Sequence, residues 1–345
     1  MVLPRLGLHF VSADLPSLAC AAVAAQRRGA VLDLSGEQWL SQLAGLGPEL
    51  ELRSYRAVPY ALALWQQFEP RLADWLQLLE LQTVQPLLIP PLPGVDMLLR
   101  CLALAEALEQ GGDLTVLLPA PAEALALLEL ARTGPSLVET LLEPLLSWWD
   151  QTRQSLASLE LVLRLRLPSS ASLRLDQCWR SRLEHMAGVL AADGPWQLSL
   201  ALECAEPQAE LLRQRLSCLS LRGFMPTRLG LHGPAAGAVL AQRPHWWPEQ
   251  LPGAELAYPF APDTMAALLQ LEAPRLERDV NVAAGTMLLP LPGVNKAELD
   301  VQQCGTTLVL RVGGQRMLVD LPQSLQGHTC SGARLERGWL ELRFL

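Results

Sequence analysis

Lysine is all but missing from this chain: Lys296 is the only one, and every other basic side chain is arginine. A loop that cradles a phosphate uses converging glycine N–H groups, a lysine ammonium, and Ser or Thr for magnesium. No residue before Lys296 can supply that ammonium. Charge of either sign is scarce: 18% of residues are charged, with a net charge of −8 and a pI near 5.3. Nucleic-acid binding through clustered cations is therefore not expected. The seven cysteines (Cys20, Cys101, Cys178, Cys204, Cys218, Cys304 and Cys330) are odd in number and never in CxxC spacing, the pattern of reduced cytosolic thiols. The five histidines have no ligand spacing, so no metal site is expected. GxSxG is absent, and no nucleophile and histidine can be paired from spacing; no catalytic residue and no cofactor are assigned. No uncharged apolar run reaches about 18 residues, and the longest candidates, Leu81–Val95 and Val280–Asn295, are broken by prolines. The start, MVLPRLGLHFVSAD, is too short in its apolar run for a signal peptide. A cytoplasmic protein without an integral membrane span is the expectation.

What is present is apolar. Half of the 345 residues are hydrophobic, enough to offset chain entropy by burial, in a chain long enough for two domains. LGLHFVS, an Ala-rich stretch to Arg28 and AVLDLS read as a βαβ beginning. Val84–Ile89, Leu114–Leu118, Trp196–Leu202 and Arg228–Leu231 are further strand candidates separated by helical stretches, which favours a doubly wound, mainly parallel sheet. From about residue 130 to 190 the pattern is helical. Leu137, Leu141, Leu145, Trp148 and Trp149 lie in an apolar stripe that Pro144 should kink or divide. Beyond a boundary near residue 280, short strands punctuated by Gly, Thr and Pro predict an all-β sandwich.

The turn after the first strand reads SADLPSLA, and the residues that would shape a phosphate loop are Ser12, Ala13, Asp14, Leu18 and Ala19. It holds neither glycine nor lysine, and Asp14 puts a carboxylate where phosphate would sit. Around it, residues 5–265 resemble, motif by motif, the ArsA family of arsenite-pump and tail-anchored-protein-targeting ATPases. In that family the first strand leads to GKGGVGKT and the second to TDPAHS. Here SADLPSLA and SGEQW (Ser35–Trp39) stand in those places. The family's PG-acid segment persists as Pro93, Gly94 and Asp96. In the second switch Leu118 replaces the aspartate and Pro121 survives; Leu231 and His232 stand at the family's Asn-Arg end. His245, Trp246, Trp247 and Pro248 fall in a loop that closes over nucleotide in the family, although packing is the expected role here.

From Leu288 onward the chain resembles a small heat-shock, or α-crystallin, domain: Leu291–Val294 with Lys296, Gly314 with Arg316, Leu321 with Pro322, and Ala333 with Gly338 and Leu340. The I-x-I tail motif is not seen, so large oligomers are not expected. The resemblances imply a P-loop-NTPase-like α/β domain over residues 1–275 with a helical subdomain at about 130–190, and an α-crystallin-like sandwich over 280–345. They imply a homodimeric pseudo-ATPase that binds hydrophobic protein segments. Leu137, Leu141, Leu145, Trp148 and Trp149 would form the groove, unless that face packs inside. Two alternatives remain open: a residual ATP-binding or anion-linked ATPase using Arg27 or Arg28, and a regulatory partner of an active ArsA-family subunit.

Overall fold

The computed structural model describes residues 8–13, 29–36, 50–78, 94–156, 167–191, 194–207, 209–256, 268 and 276–345. Seven parallel strands form the first sheet in the order β3-β2-β4-β1-β5-β6-β7: β1 (Leu8–Ala13), β2 (Gly29–Asp33), β3 (Leu50–Ser54), β4 (Leu114–Leu117), β5 (Trp196–Glu203), β6 (Arg228–His232) and β7 (Gly253–Glu255). The central strands read as continuous apolar runs rather than alternating ones, and β4 and β6 are buried along their whole length. That is what a parallel sheet covered on both faces requires. The α/β expectation therefore holds. β3 and β7, the outer strands of this order, are additions that hydropathy alone did not pick out; Val84–Ile89 lies outside the described residues.

The helices are α1 (Ala57–Leu78), α2 (Val95–Glu109), α3 (Pro121–Leu137), α4 (Glu143–Ser155), α5 (Gln177–Val189), α6 (Glu210–Leu221) and α7 (Ala236–Gln242). α2 buries Leu99, Leu104, Ala105 and Leu108. α3 starts with Pro121, whose fixed φ and missing N–H suit a first helical turn. α5 is capped by Asp176, which accepts from Trp179 N at 2.9 Å. Between α3 and α4 the chain does not break at Pro144. It widens into a π turn at Val138–Leu142, where Glu143 N donates to Val138 O, and α4 resumes with Pro144 in its first turn. The wide turn accommodates the proline that an unbroken α ladder would reject.

The second unit is all antiparallel: one sheet in the order β10-β11-β12 and another in the order β13-β14-β9-β8. Its strands are β8 (Asp279–Asn281), β9 (Thr286–Pro290), β10 (Leu299–Cys304), β11 (Thr307–Val312), β12 (Gln315–Asp320), β13 (Cys330–Glu336) and β14 (Trp339–Phe344). Met287, Leu289, Leu308, Leu310, Leu340 and Leu342 fill its core, and Leu221 of α6 joins them.

The two units meet at main-chain level. Gly293 has φ +78°, and a Cβ there would lie 2.2 Å from Arg213 O and 2.7 Å from Ser217 N. Gly293 N donates to Trp246 O at 3.1 Å, Arg213 Nη1 donates to Gly293 O at 3.0 Å, and Ser220 Oγ donates to Pro292 O at 3.3 Å. Gly338, at φ +74°, brings the β13–β14 turn against Pro248 and Trp246. Trp246 and Trp247 are buried, so packing is their role.

Gly293→Ala is expected to lower stability by roughly 2–4 kcal/mol, from overpacking against backbone added to the positive-φ cost. Gly305→Ala is the control: its φ is +62° but nothing lies within 4 Å of the added carbon, so about 1 kcal/mol is expected. Equal denaturation midpoints for the two variants would remove the case for a tight junction.

Candidate functional site

In a parallel sheet the ligand crevice lies beyond the carboxyl ends of the strands, where the connections change direction. Here that point is β1, with β4 on one side and β5 on the other. Ser12 and Ala13 end β1 and are both buried; Asp14, Leu18 and Ala19 lie outside the described residues. The Ser12 hydroxyl donates to Pro119 O at 3.1 Å, and Leu118 N donates to Val11 O at 2.9 Å. The exit of β4 is thereby folded onto the end of β1. Leu118 is fully buried, an apolar side chain at the sheet's carboxyl edge. On the flanks, carboxylates end the strands: Asp33 on β2, Glu203 on β5 and Glu255 on β7. Asp33 is buried and its Oδ1 accepts from Ser35 N at 2.9 Å and Ser35 Oγ at 2.6 Å. Cys204 is buried beside His232, its N donating to His232 O at 2.7 Å. Burial pushes its thiol pKa up, away from the thiolate form a nucleophile needs.

The second candidate is the helical stripe. Leu137, Leu141, Leu145 and Trp148 are 44%, 59%, 61% and 61% exposed, a solvent-facing apolar row along the end of α3, the π turn and α4. Trp149 is not part of it. Its Nε1 donates to Pro168 O at 2.9 Å and its ring sits 5.1 Å from that of Trp75 on α1. Close by, Asp150 accepts from Ser170 N at 3.1 Å and from Ser170 Oγ. The stripe is thus held from behind by Trp149, which spacing had placed on its face, and by Asp150, which no spacing rule had marked. Among the described residues, no three His, Cys, Asp or Glu side chains gather as a metal site, and no helix is long and apolar enough to cross a membrane.

The antiparallel unit carries its motif residues as expected. Leu291 and Val294 are buried on either side of the docked Gly293, Gly314 begins the approach to Arg316 on β12, and Leu340 is fully buried on β14. Residues 285–344 match a family described as the HSP20-like domain found in ArsA. The C-terminal unit is thus similar to a domain found in ArsA. An uncharacterized protein of Streptomyces coelicolor is 29% identical over 307 residues, covering 80% of this chain and 77% of that protein.

In the α/β unit, Asp96 of the segment Pro93–Asp96 lies at a structural hub. Tyr55 Oη donates to Asp96 Oδ1 at 2.9 Å, and Arg100 pairs with Asp96 at 2.8 Å and with Glu123 of α3 at 3.6 Å. The guanidinium also lies over the Tyr55 ring, 5.9 Å from its centre, and packs where a Cβ on Gly36 would stand. Burial first, and then the Asp96 hydrogen bond, raise the Tyr55 pKa, so its hydroxyl stays a donor. Arg100 is a base close to the edge, but two carboxylates already hold it. Its spacing of four from Asp96 was legible as a helical ion pair; its reach to Tyr55 and Glu123 was not. Leu231 is fully buried and His232 nearly so.

Restoring an aspartate as Leu118→Asp is expected to cost roughly 3 kcal/mol or more, through lost apolar burial and a carboxyl group in the core. Phosphate release with Mg-ATP should stay at background; a stable variant that hydrolyses ATP would contradict the packing described. A pH effect is expected at the stripe's support. The Ser170 side-chain and backbone hydrogen bonds hold the Asp150 pKa below its ordinary value. A depressed folded pKa means that the tie is complete above the unfolded value, about 3.9, and is lost as pH falls through the lower folded value. Trp149 fluorescence should shift in that acid window in the wild type and be insensitive there in Asp150→Asn.

Proposed function

We propose that this ArsA-like chain is a pseudo-ATPase that holds apolar segments of other proteins, in a chaperone-like or targeting-related role and without a hydrolysis cycle. The observation that carries the reading is the exposed row Leu137, Leu141, Leu145 and Trp148. Apolar residues at this spacing on one helix face fit an amphipathic or wholly apolar partner helix, and contiguous exposed apolar surface of this kind marks interaction sites. The HSP20-like domain supports a role with unfolded or apolar protein segments.

Loss of nucleotide chemistry is supported from the other side of the molecule. A triphosphate needs cations and free amide donors. At the edge where it would bind, Ser12 and the main chain of Leu118 are already bonded to neighbouring backbone, the strand ends carry Asp33, Glu203 and Glu255, and Arg100 is neutralised by Asp96 and Glu123. We infer cytoplasmic action as a homodimer from the family resemblance.

A fluorescent, wholly apolar helical peptide of about 20 residues, the length of a membrane span, is the probe. Anisotropy should report binding that the Leu141→Asp, Leu145→Asp double variant weakens by about tenfold or more, with thermal melting unchanged because both side chains are exposed. Calorimetric titration with Mg-ATP should give no heat and no phosphate release. Peptide binding that ignores the double variant would sink the groove; tight nucleotide binding would favour the residual ATPase, and co-purification with a lysine-bearing homologue the regulatory subunit.

A further inference from the structure

Between α1, α2 and the outer strand β3 lies a cavity of about 390 Å³, within the range of about 300–1,000 Å³ typical of small-molecule sites. It is not the nucleotide crevice, because β2 and β4 stand between β3 and the switch point at β1. Its floor is Leu32 of β2 with Ala103 and Ala107 of α2, all buried, and Ala63 of α1 forms an exposed wall. A spacing of four puts Ala103 and Ala107 on one helix face, and these two present only methyl groups. Tyr60 spans the gap that the alanines leave: from α1 its Oη donates to Glu106 Oε2 on α2 at 2.9 Å.

Two rings and one cation decide what the cavity takes. The Tyr55 and Tyr60 rings, with centres 5.8 Å apart and planes at 64°, both line it, and their hydroxyls are committed to Asp96 and Glu106. Rings fixed in this way offer edges and faces, the surfaces that a third aromatic ring packs against. At the mouth stand Arg53 and Arg56. Arg53 donates from Nε and Nη2 to Glu51 Oε1 at 2.9 and 2.6 Å, whereas Arg56 is exposed and has no side-chain partner among the described residues. One free guanidinium matches one carboxylate, and Glu106 in the same lining disfavours a second negative charge.

We propose that this cavity is a binding site for a small aromatic monocarboxylate, its ring packed on Tyr55, Tyr60 and the alanines and its carboxylate on Arg56. An aliphatic acid of the same size would forgo the ring packing. A polyphosphate would meet Glu106 with one unpaired cation to receive it. The inference does not rest on the apolar row of α3 and α4.

Titration of the full chain with naphthoate, followed by calorimetry and by ligand NMR, tests the site. A dissociation constant of about 1 mM or tighter is expected for a compound of this size, with uncharged naphthylmethanol and dianionic naphthyl phosphate each binding about tenfold more weakly. Arg56→Gln should weaken naphthoate about tenfold and leave naphthylmethanol unchanged. Ala63→Leu intrudes on the cavity from its exposed wall and should weaken both about tenfold. Both positions are exposed, so the variants should melt as the wild type does. The Leu141→Asp, Leu145→Asp variant should bind naphthoate like the wild type, which separates this site from the exposed apolar row. No binding up to about 1 mM, naphthoate affinity untouched by both cavity variants, its loss in the row variant, or equal affinity for naphthyl phosphate overturns the proposal.

Discussion

At Gly293 two backbones touch where no side chain fits, and the arrangement of the whole chain depends on that contact. The positive φ and the missing Cβ let a tight turn lie against α6, where Arg213 and Ser220 bind its carbonyls. Leu221 then enters the sandwich core from the same helix. The HSP20-like unit is consequently seated on the helix that follows β5 and on the Trp246–Pro248 loop that leads to β7, rather than carried on a loose tether. At the rim the Arg337–Glu249 ion pair and the Trp339 Nε1 hydrogen bond to Gln250 at 3.2 Å add orientation, but an exposed ion pair of this kind contributes little stability.

The two candidate sites differ in what their polar groups are free to do. At the sheet's carboxyl edge polar groups are tied to one another: Ser12 with Pro119, Ser35 with Asp33, Tyr55 and Arg100 with Asp96. Such an edge is a set of internal ties, and its carboxylates disfavour an anion. On the helical stripe the balance is reversed. The support is polar and satisfied, through Asp150 and Ser170, while the outward face is apolar and uncovered. Rigid backing with an apolar front is the arrangement that recognition of an apolar helix calls for.

Much of this could be read from residues alone, and the reasons for the gaps are physical. Largely buried strands such as β1, β4, β5 and β6 announce themselves by continuous apolar runs. The sandwich strands were legible because their alternation has period two and their turns carry glycine. β3, with its Glu51–Arg53 pair, has no such contrast, and β7 has only three residues. The stripe was visible as a helical pattern, but periodicity cannot say which tryptophan of an adjacent pair faces inward. Trp75, far away in the chain, decided that for Trp149. The hub around Asp96 was likewise hidden, because Tyr55, Arg100 and Glu123 converge only through the fold.

The rarity of lysine has a chemical corollary. Lys296 is exposed and lies two residues beyond buried Val294, at the foot of the seated sandwich. Acylating, carbamylating or glycating agents thus find a single ε-amine in the protein, and it borders the junction between the two units. A reporter dye attached there would sense that junction and little else.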